Sequence, residues 1–179
     1  MEVKGYKIEP EADLSEADLS EANLRGANLA GTNLYGANLT GANLYGAHLT
    51  VANLGVADLS RADLSRADLR WVNLGLADLT AANLNTSNLF GANLVQAFLG
   101  GANLDGANLT AGNLYGAYLV EANLAGANLD GANLTGTDLR RANLAGANLD
   151  GANLTYAYAD KDSQWPEGFD PVAAGVTFV

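Results

Sequence analysis

Leucine recurs at every fifth position from Leu14 to Leu154 without interruption, which makes 29 consecutive repeats. Alanine stands two positions before the leucine in 24 of them, and Asn or Asp stands directly before it in 26. A helix cannot use this spacing, because five residues advance about 500° and the leucines would spread around the cylinder. A straight strand cannot use it either, since an odd spacing alternates between two faces. The chain must therefore turn once per repeat, which predicts a solenoid of short strands and corners.

The corners have a recognisable turn chemistry. The second residue after the leucine is glycine in 14 repeats, and a type II turn favours glycine at its third position because φ is positive there. We therefore predict type II turns at the glycine corners in residues 22–50 and 100–153. From 51 to 90 we predict another turn type, because the same position holds residues that disfavour positive φ. These are Val51, Val56, Arg61, Arg66, Trp71, Leu76, Ala81 and Thr86.

The number of sides in each coil follows from the position directly before the leucine. Ten repeats lack the usual Asn there, and six of the ten fall in one class when every fourth repeat is counted. This spacing predicts a coil of 20 residues with four sides. About seven such coils, stacked at about 4.8 Å, would form a rod roughly 35 Å long. The six residues are Asp18, Asp58, Asp78, Phe98, Tyr118 and Asp138.

The run Ala-Asn-Leu-Thr-Gly-Ala-Asn-Leu-Tyr-Gly at 37–46 is repeated with variation from about 12 to 156. It resembles the pentapeptide-repeat family, and the tail Trp165-Pro166-Glu167-Gly168-Phe169-Asp170-Pro171 is similar to those of cyanobacterial members. The resemblance implies an all-β fold, a right-handed parallel quadrilateral β-helix. We expect an N-terminal cap over 1–11, the β-helix over 12–156 and a C-terminal cap or tail over 157–179.

Composition limits the partners. The chain has 20 acidic and 9 basic residues, a net charge of −11, which disfavours nucleic acids and anionic membranes and permits a basic protein surface. It has no cysteine, which excludes disulfides and thiolate metal sites. The start of the chain does not resemble a signal peptide, and no apolar run is long enough to span a bilayer. We therefore expect a cytoplasmic protein.

No group of residues points to catalysis, a cofactor or a metal. The single histidine, His48, occupies a position before a leucine and has no evident catalytic partners. Aspartates such as Asp13, Asp63 and Asp68 are ordinary occupants of that position, and the nearby Arg61, Arg66 and Arg70 are typical of surface ion pairing. We predict a structural or protein-interaction module rather than an enzyme. The family resemblance implies one alternative, a DNA-mimicking inhibitor or protector of a type II topoisomerase.

The six residues spaced by 20 form the candidate partner-binding face. Phe98 and Tyr118 should stack in adjacent coils and interrupt an outward line that is otherwise polar. Such a pair is a candidate contact patch, although it would also stabilise the sheet without any partner. In the tail, Trp165 and Phe169 are expected to cover the last leucines. The alternative is a homodimer contact through the tail.

Overall fold

Each repeat contributes one short extended segment and one corner to a four-sided coil. The computed structural model describes all 179 residues. The residue directly before each leucine, which we call the outward residue, forms a parallel bridge with the outward residue 20 positions later from Asp13 to Asn133. Since 20 residues are four repeats, every coil has four sides. We number the sides by the outward residue that begins each line: Asp13 for the first side, Asp18 for the second, Asn23 for the third and Asn28 for the fourth.

The interior is a continuous column of leucine. All 29 leucines from Leu14 to Leu154 are buried, and the small residue two positions before is buried in all repeats except those of Ala12 and Ala152 at the two ends. The prediction of an unbroken leucine column is therefore confirmed. Where the small residue carries a hydroxyl, at Thr32, Ser87 and Thr137, that hydroxyl donates to the carbonyl of the leucine three residues earlier. Each of these three buried hydroxyls thus has a partner.

Backbone hydrogen bonds join each coil to both of its neighbours. The N–H of Leu84 donates to the carbonyl of Asn103 in the next coil at 2.7 Å, and the N–H of Asn83 donates to Ala62 in the preceding coil at 2.9 Å. The same pattern recurs along the rod. Stability therefore comes from contacts between neighbouring coils, as in other solenoids.

The corners all have one geometry, so the prediction of a different turn type from 51 to 90 was wrong. In each corner the small residue's N–H donates to the carbonyl of the leucine three positions earlier, and the second corner residue has positive φ. This angle is 62–69° at the glycine corners and 51–62° at the others, including 51° at Val56 and 59° at Trp71. These are the features of a type II turn. The reason is that the corner N–H also bonds to the next coil, as Val56 does to Gly75. The stack imposes the turn whatever the side chain.

The regular strands lie at the two ends of the chain. Strand β1 (Glu2–Val3) pairs antiparallel with β2 (Tyr6–Lys7), and Ile8 beyond them is buried against the first leucines. Strand β3 (Tyr158–Ala159) pairs in parallel with β4 (Thr177–Phe178). The chain contains no helix of the length and apolarity that a bilayer crossing requires.

The C-terminal segment packs over the last coils. Trp165 and Phe169 stack with ring centroids 5.5 Å apart, and both lie partly buried against the core. Asn143 bridges to Gln164, which is 21 residues later rather than 20. The chain therefore contains one extra residue where the repeat ends. The segment beyond it still packs along the last leucines.

Candidate protein-contact face

The second side brings the six predicted residues together in one line. Successive bridges join residues 18, 38, 58, 78, 98, 118 and 138, and Asn38 is the only asparagine among them. The line continues to Tyr158 in β3. The face consists of Asp18, Asp58, Asp78, Phe98, Tyr118, Asp138 and Tyr158, and we call it the aromatic–acidic face.

This side differs from the other three in its side-chain hydrogen bonds. On the first side the amides of five of the seven asparagines donate to the outward residue of the preceding coil, as Asn73 does to Asn53 and Asn93 does to Asn73, both at 2.8 Å. Similar bonds occur on the third side, as from Asn103 to Asn83, and on the fourth, as from Asn108 to Asn88. No such bond joins the outward residues of the second side. Its side chains are therefore not tied together by an amide ladder.

Aromatic stacking takes the place of the ladder. The rings of Phe98 and Tyr118 are nearly parallel, with 5.0 Å between centroids and 4° between planes. Stacked rings contribute beyond the area they bury, so the pair stabilises the adjoining coils. However, Phe98 remains 43% exposed and Tyr118 46% exposed. The pair therefore leaves an apolar surface in solvent on a mostly acidic side of the rod.

The column of rings is interrupted one coil later. Asp138 stands between Tyr118 and Tyr158, and its carboxylate is turned toward Arg140, with 2.8 Å from Arg140 Nε to Oδ1 and 2.5 Å from Nη2 to Oδ2. A depression of about 300 Å³ opens at this point. We call it the aromatic gap, and its lining consists of Gln96, Tyr115, Gly116, Tyr118, Gly136, Asp138 and Tyr158.

Three carboxylates of the face, those of Asp18, Asp58 and Asp138, have pKa values below the usual one. Hydrogen bonds from the Arg140 side chain lower the pKa of Asp138, although partial burial opposes this. The hydroxyl and backbone N–H of Ser20 lower the pKa of Asp18. At Asp58 burial acts to raise the pKa, but bonds from Ser60 and Thr40 together outweigh it. The face is thus negatively charged at neutral pH, with rings at its C-terminal half.

Two features of this surface were not predicted from the sequence. Tyr158 lies outside the leucine repeat, because Ala159 replaces the leucine, and only its spacing of 20 from Asp138 signals its place in the line. The second feature is a band of apolar corner residues that flanks the first side. They are 41–59% exposed and stand at the corner position where glycine is commonest: Val51, Val56, Trp71 and Leu76.

The other residues singled out from the sequence are dispersed. His48 lies exposed on the fourth side between Asn28 and Asp68. Of the arginines near the middle of the rod, Arg70 pairs with Asp68 at 2.7 Å. No three carboxylate or imidazole side chains come together in an arrangement that could hold a metal ion.

Comparison with known proteins agrees with this architecture. The family described as pentapeptide repeats matches residues 12–50, 42–80, 87–123 and 117–155. No curated protein sequence matches the chain. Among solved structures, the pentapeptide repeat protein alr5209 from Nostoc Pcc 7120 is 36% identical, covers 68% of this chain and 84% of its own, and has a TM-score of 0.51.

Two further solved structures are similar to this chain. HetL from the cyanobacterium Nostoc sp. Strain PCC 7120, a pentapeptide repeat protein involved in heterocyst differentiation regulation, is 33% identical over 83% of both chains, with a TM-score of 0.48. Full-length QnrB1, a plasmid-mediated fluoroquinolone resistance protein, is 21% identical over 95% of this chain and 90% of its own, with a TM-score of 0.72. At that identity the likeness to QnrB1 concerns the fold alone.

Proposed function

Because this chain belongs to the pentapeptide-repeat family, whose fold is a right-handed quadrilateral β-helix, we propose that it is a non-catalytic protein-interaction module built on about seven coils. Its contact surface is the aromatic–acidic face. No cofactor or metal takes part in this function. The partner is a protein with a basic surface, since the chain carries a net charge of −11.

One observation carries this proposal. The exposed stack of Phe98 and Tyr118 lies on the one side that has no amide ladder. Asparagine at those two positions would be compatible with the fold, as it is on the other three sides, so the coil does not require the rings. Aromatic residues are enriched in protein interfaces, where they supply large contact area. Rings beside carboxylates therefore favour a surface for a partner.

The test is affinity capture by the double variant Phe98→Asn with Tyr118→Asn. We expect this variant to keep the circular dichroism spectrum of the parent and to lose the specific partner. A matched control is Trp71→Asn with Phe90→Asn, which removes another contacting aromatic pair, with centroids 5.1 Å apart, near the opposite edge of the coil. The control should still capture the partner. Equal capture by the parent and both variants would show that the second side is not the contact surface.

The alternative is mimicry of DNA toward a type II topoisomerase. It draws on the acidic surface and on the fold shared with a fluoroquinolone resistance protein. Residues 12–156 carry 13 acidic and 6 basic residues, a net charge of −7. Duplex DNA carries about 20 charges over roughly 35 Å, the expected length of this rod. The charge density is therefore about a third of that of DNA, which favours the interaction module.

We assign residues 1–11 and 157–179 the role of caps. Open ends of a β-helix expose unpaired strand edges that invite aggregation, and both segments lay apolar side chains over the terminal leucines. Val172, Phe178 and Val179 remain 46–69% exposed at the C-terminal end, and a homodimer through the tail would cover them. The sedimentation of the full chain, compared with that of the Phe178→Ser variant, distinguishes a cap alone from a dimer contact.

A further inference from the structure

The aromatic gap has the dimensions of a site for a flat chemical group. The Phe98 and Tyr118 rings stand parallel at one-coil spacing, 5.0 Å between centroids. Tyr118 and Tyr158 belong to the same line but are two coils apart, which is about 9.6 Å at the usual spacing of strands. The intervening coil carries the shorter Asp138 side chain, which is turned toward Arg140. One ring is thus missing from a column of four.

The walls and floor of the gap indicate what would fill it. Tyr115, Tyr118 and Tyr158 line the gap, and the corners at Gly116 and Gly136 carry no side chain that would occupy the space. The Asp138 carboxylate has about four acceptor positions. Arg140 Nη2 takes one position on Oδ2, while Oδ1 accepts from Arg140 Nε and from the Arg140 backbone N–H. One acceptor position on Oδ2 therefore remains for a donor from outside the chain.

The chain itself stacks arginine on tyrosine at the same spacing. On the corner between the third and fourth sides, the guanidinium carbon of Arg25 lies 4.0 Å from the centroid of the Tyr45 ring in the adjacent coil. Guanidinium groups are planar and are attracted to aromatic faces. A coil step of this β-helix therefore accommodates a guanidinium on a tyrosine face without distortion.

We propose that the aromatic gap binds the guanidinium group of an arginine side chain carried by the partner protein. The group enters between Tyr118 and Tyr158 and donates one hydrogen bond to Asp138. This inference rests on the proposed function, since it names the chemistry by which the aromatic–acidic face recognises its partner. The net charge of −11 attracts a basic segment to the rod, and the gap selects arginine within that segment.

The test uses blocked pentapeptides of the form Gly-Gly-X-Gly-Gly, where X is arginine, lysine, phenylalanine or norleucine. Binding is followed by the NMR resonances of the tyrosine rings. A single exposed cation–π contact is weak, so we expect the arginine peptide to bind with a dissociation constant in the range of roughly 1–10 mM. It should shift Tyr118 and Tyr158 and bind at least about threefold more tightly than the lysine peptide, because lysine lacks the planar group.

Two substitutions to tyrosine test whether arginine binding depends on the gap or on the rest of the face. Asp138→Tyr supplies the missing ring and should abolish arginine binding. Asp78→Tyr is the matched control, because it extends the same column beyond Phe98 and leaves the gap open, so it should bind as the parent does. If Asp138→Tyr does not fold, Tyr158→Ser removes one wall instead and should weaken binding by at least about fivefold.

Several outcomes would overturn the inference. They are equal binding of the arginine and norleucine peptides, tighter binding of the phenylalanine peptide, full binding by Asp138→Tyr, or no shift of Tyr118 and Tyr158. If arginine binding fails while partner capture still depends on Phe98 and Tyr118, the proposed function stands and only the arginine site is wrong. If the arginine peptide binds and capture does not depend on those rings, the contact surface is wrong and the site is retained.

Discussion

The corner residues with positive φ offer a test of what the coil stack imposes on the chain. Val56 has φ of 51° and is 41% exposed, so its β-branched side chain stands in a conformation that such residues avoid. Gly101 has φ of 63° at an equivalent corner, and a Cβ added there would meet no atom within 4 Å. Val56→Gly and Gly101→Val are therefore reciprocal changes at the same backbone geometry.

The two changes should alter stability by similar amounts in opposite directions. The left-handed conformation costs an L-residue about 1–2 kcal/mol, while glycine loses about 0.5–1 kcal/mol more in backbone entropy on folding. The difference predicts that Val56→Gly stabilises the chain by about 0.5–1 kcal/mol and that Gly101→Val destabilises it by the same amount. The Cβ added at Gly101 meets no atom within 4 Å, so the Cβ itself introduces no clash.

The measurement is the midpoint of unfolding by heat and by guanidinium, followed by circular dichroism. For a chain of this length a change of 1 kcal/mol shifts the melting temperature by about 2–4 °C. Gly101→Asn is a control, because Asn tolerates this region better than Val, and its cost should be smaller. If Val56→Gly and Gly101→Val shift the midpoint in the same direction, backbone strain at the corners does not govern their stability.

Three further predictions concern the core, the surface charges and the alternative function. Leu84→Ala should destabilise by about 2–5 kcal/mol, and by more than Leu149→Ala, since Leu84 is fully buried in the middle of the rod and Leu149 is 8% exposed near its end; equal unfolding midpoints would contradict this. Hydrogen bonds from Arg70 and Arg140 lower the pKa values of Asp68 and Asp138 below the usual 3.8, so their stabilisation is present above that pH and is lost as pH falls through the lowered values. Acid titration of Asp68→Asn with Asp138→Asn should therefore show a smaller loss of stability than the parent. In a supercoiling assay with purified gyrase we expect weak or no inhibition, and potent inhibition below micromolar protein would favour DNA mimicry instead.

The leucine period and the spacing of departures from asparagine were enough to predict a four-sided coil with a leucine interior, whereas its right-handedness was implied by the family resemblance. The interior followed from the pairing of Ala82 with Leu84 and its equivalents, which share a strand face. The four-sided coil followed from the ten repeats that lack Asn before the leucine, because six of them fall in one class when every fourth repeat is counted. Both inferences depend on geometry that repeats along the chain. A sequence pattern that is weak in one repeat becomes informative when many repeats share it.

The same reasoning could not predict the geometry of the corners or the aromatic gap. Val51 and Trp71 have no intrinsic preference for positive φ, and they adopt it because hydrogen bonds from neighbouring coils hold the backbone. This constraint is absent from any local sequence pattern. The gap requires Tyr158, which follows the last leucine and takes its place in the line only because the tail pairs in register with the rod.

Because bridges join residues 20 apart, the position of a residue within each block of 20 determines which side of the rod it occupies. Inserting or deleting 20 residues would change the length of the rod by one coil and leave every later residue on its original side. Removing a single repeat, such as residues 82–86, would preserve the leucine column but turn everything beyond it by a quarter of a revolution. Phe98 and Tyr118 would then leave the line of Asp58 and Asp78 and continue the line of the first side. Length changes that preserve the aromatic–acidic face are therefore confined to multiples of four repeats, although the fold itself tolerates multiples of one.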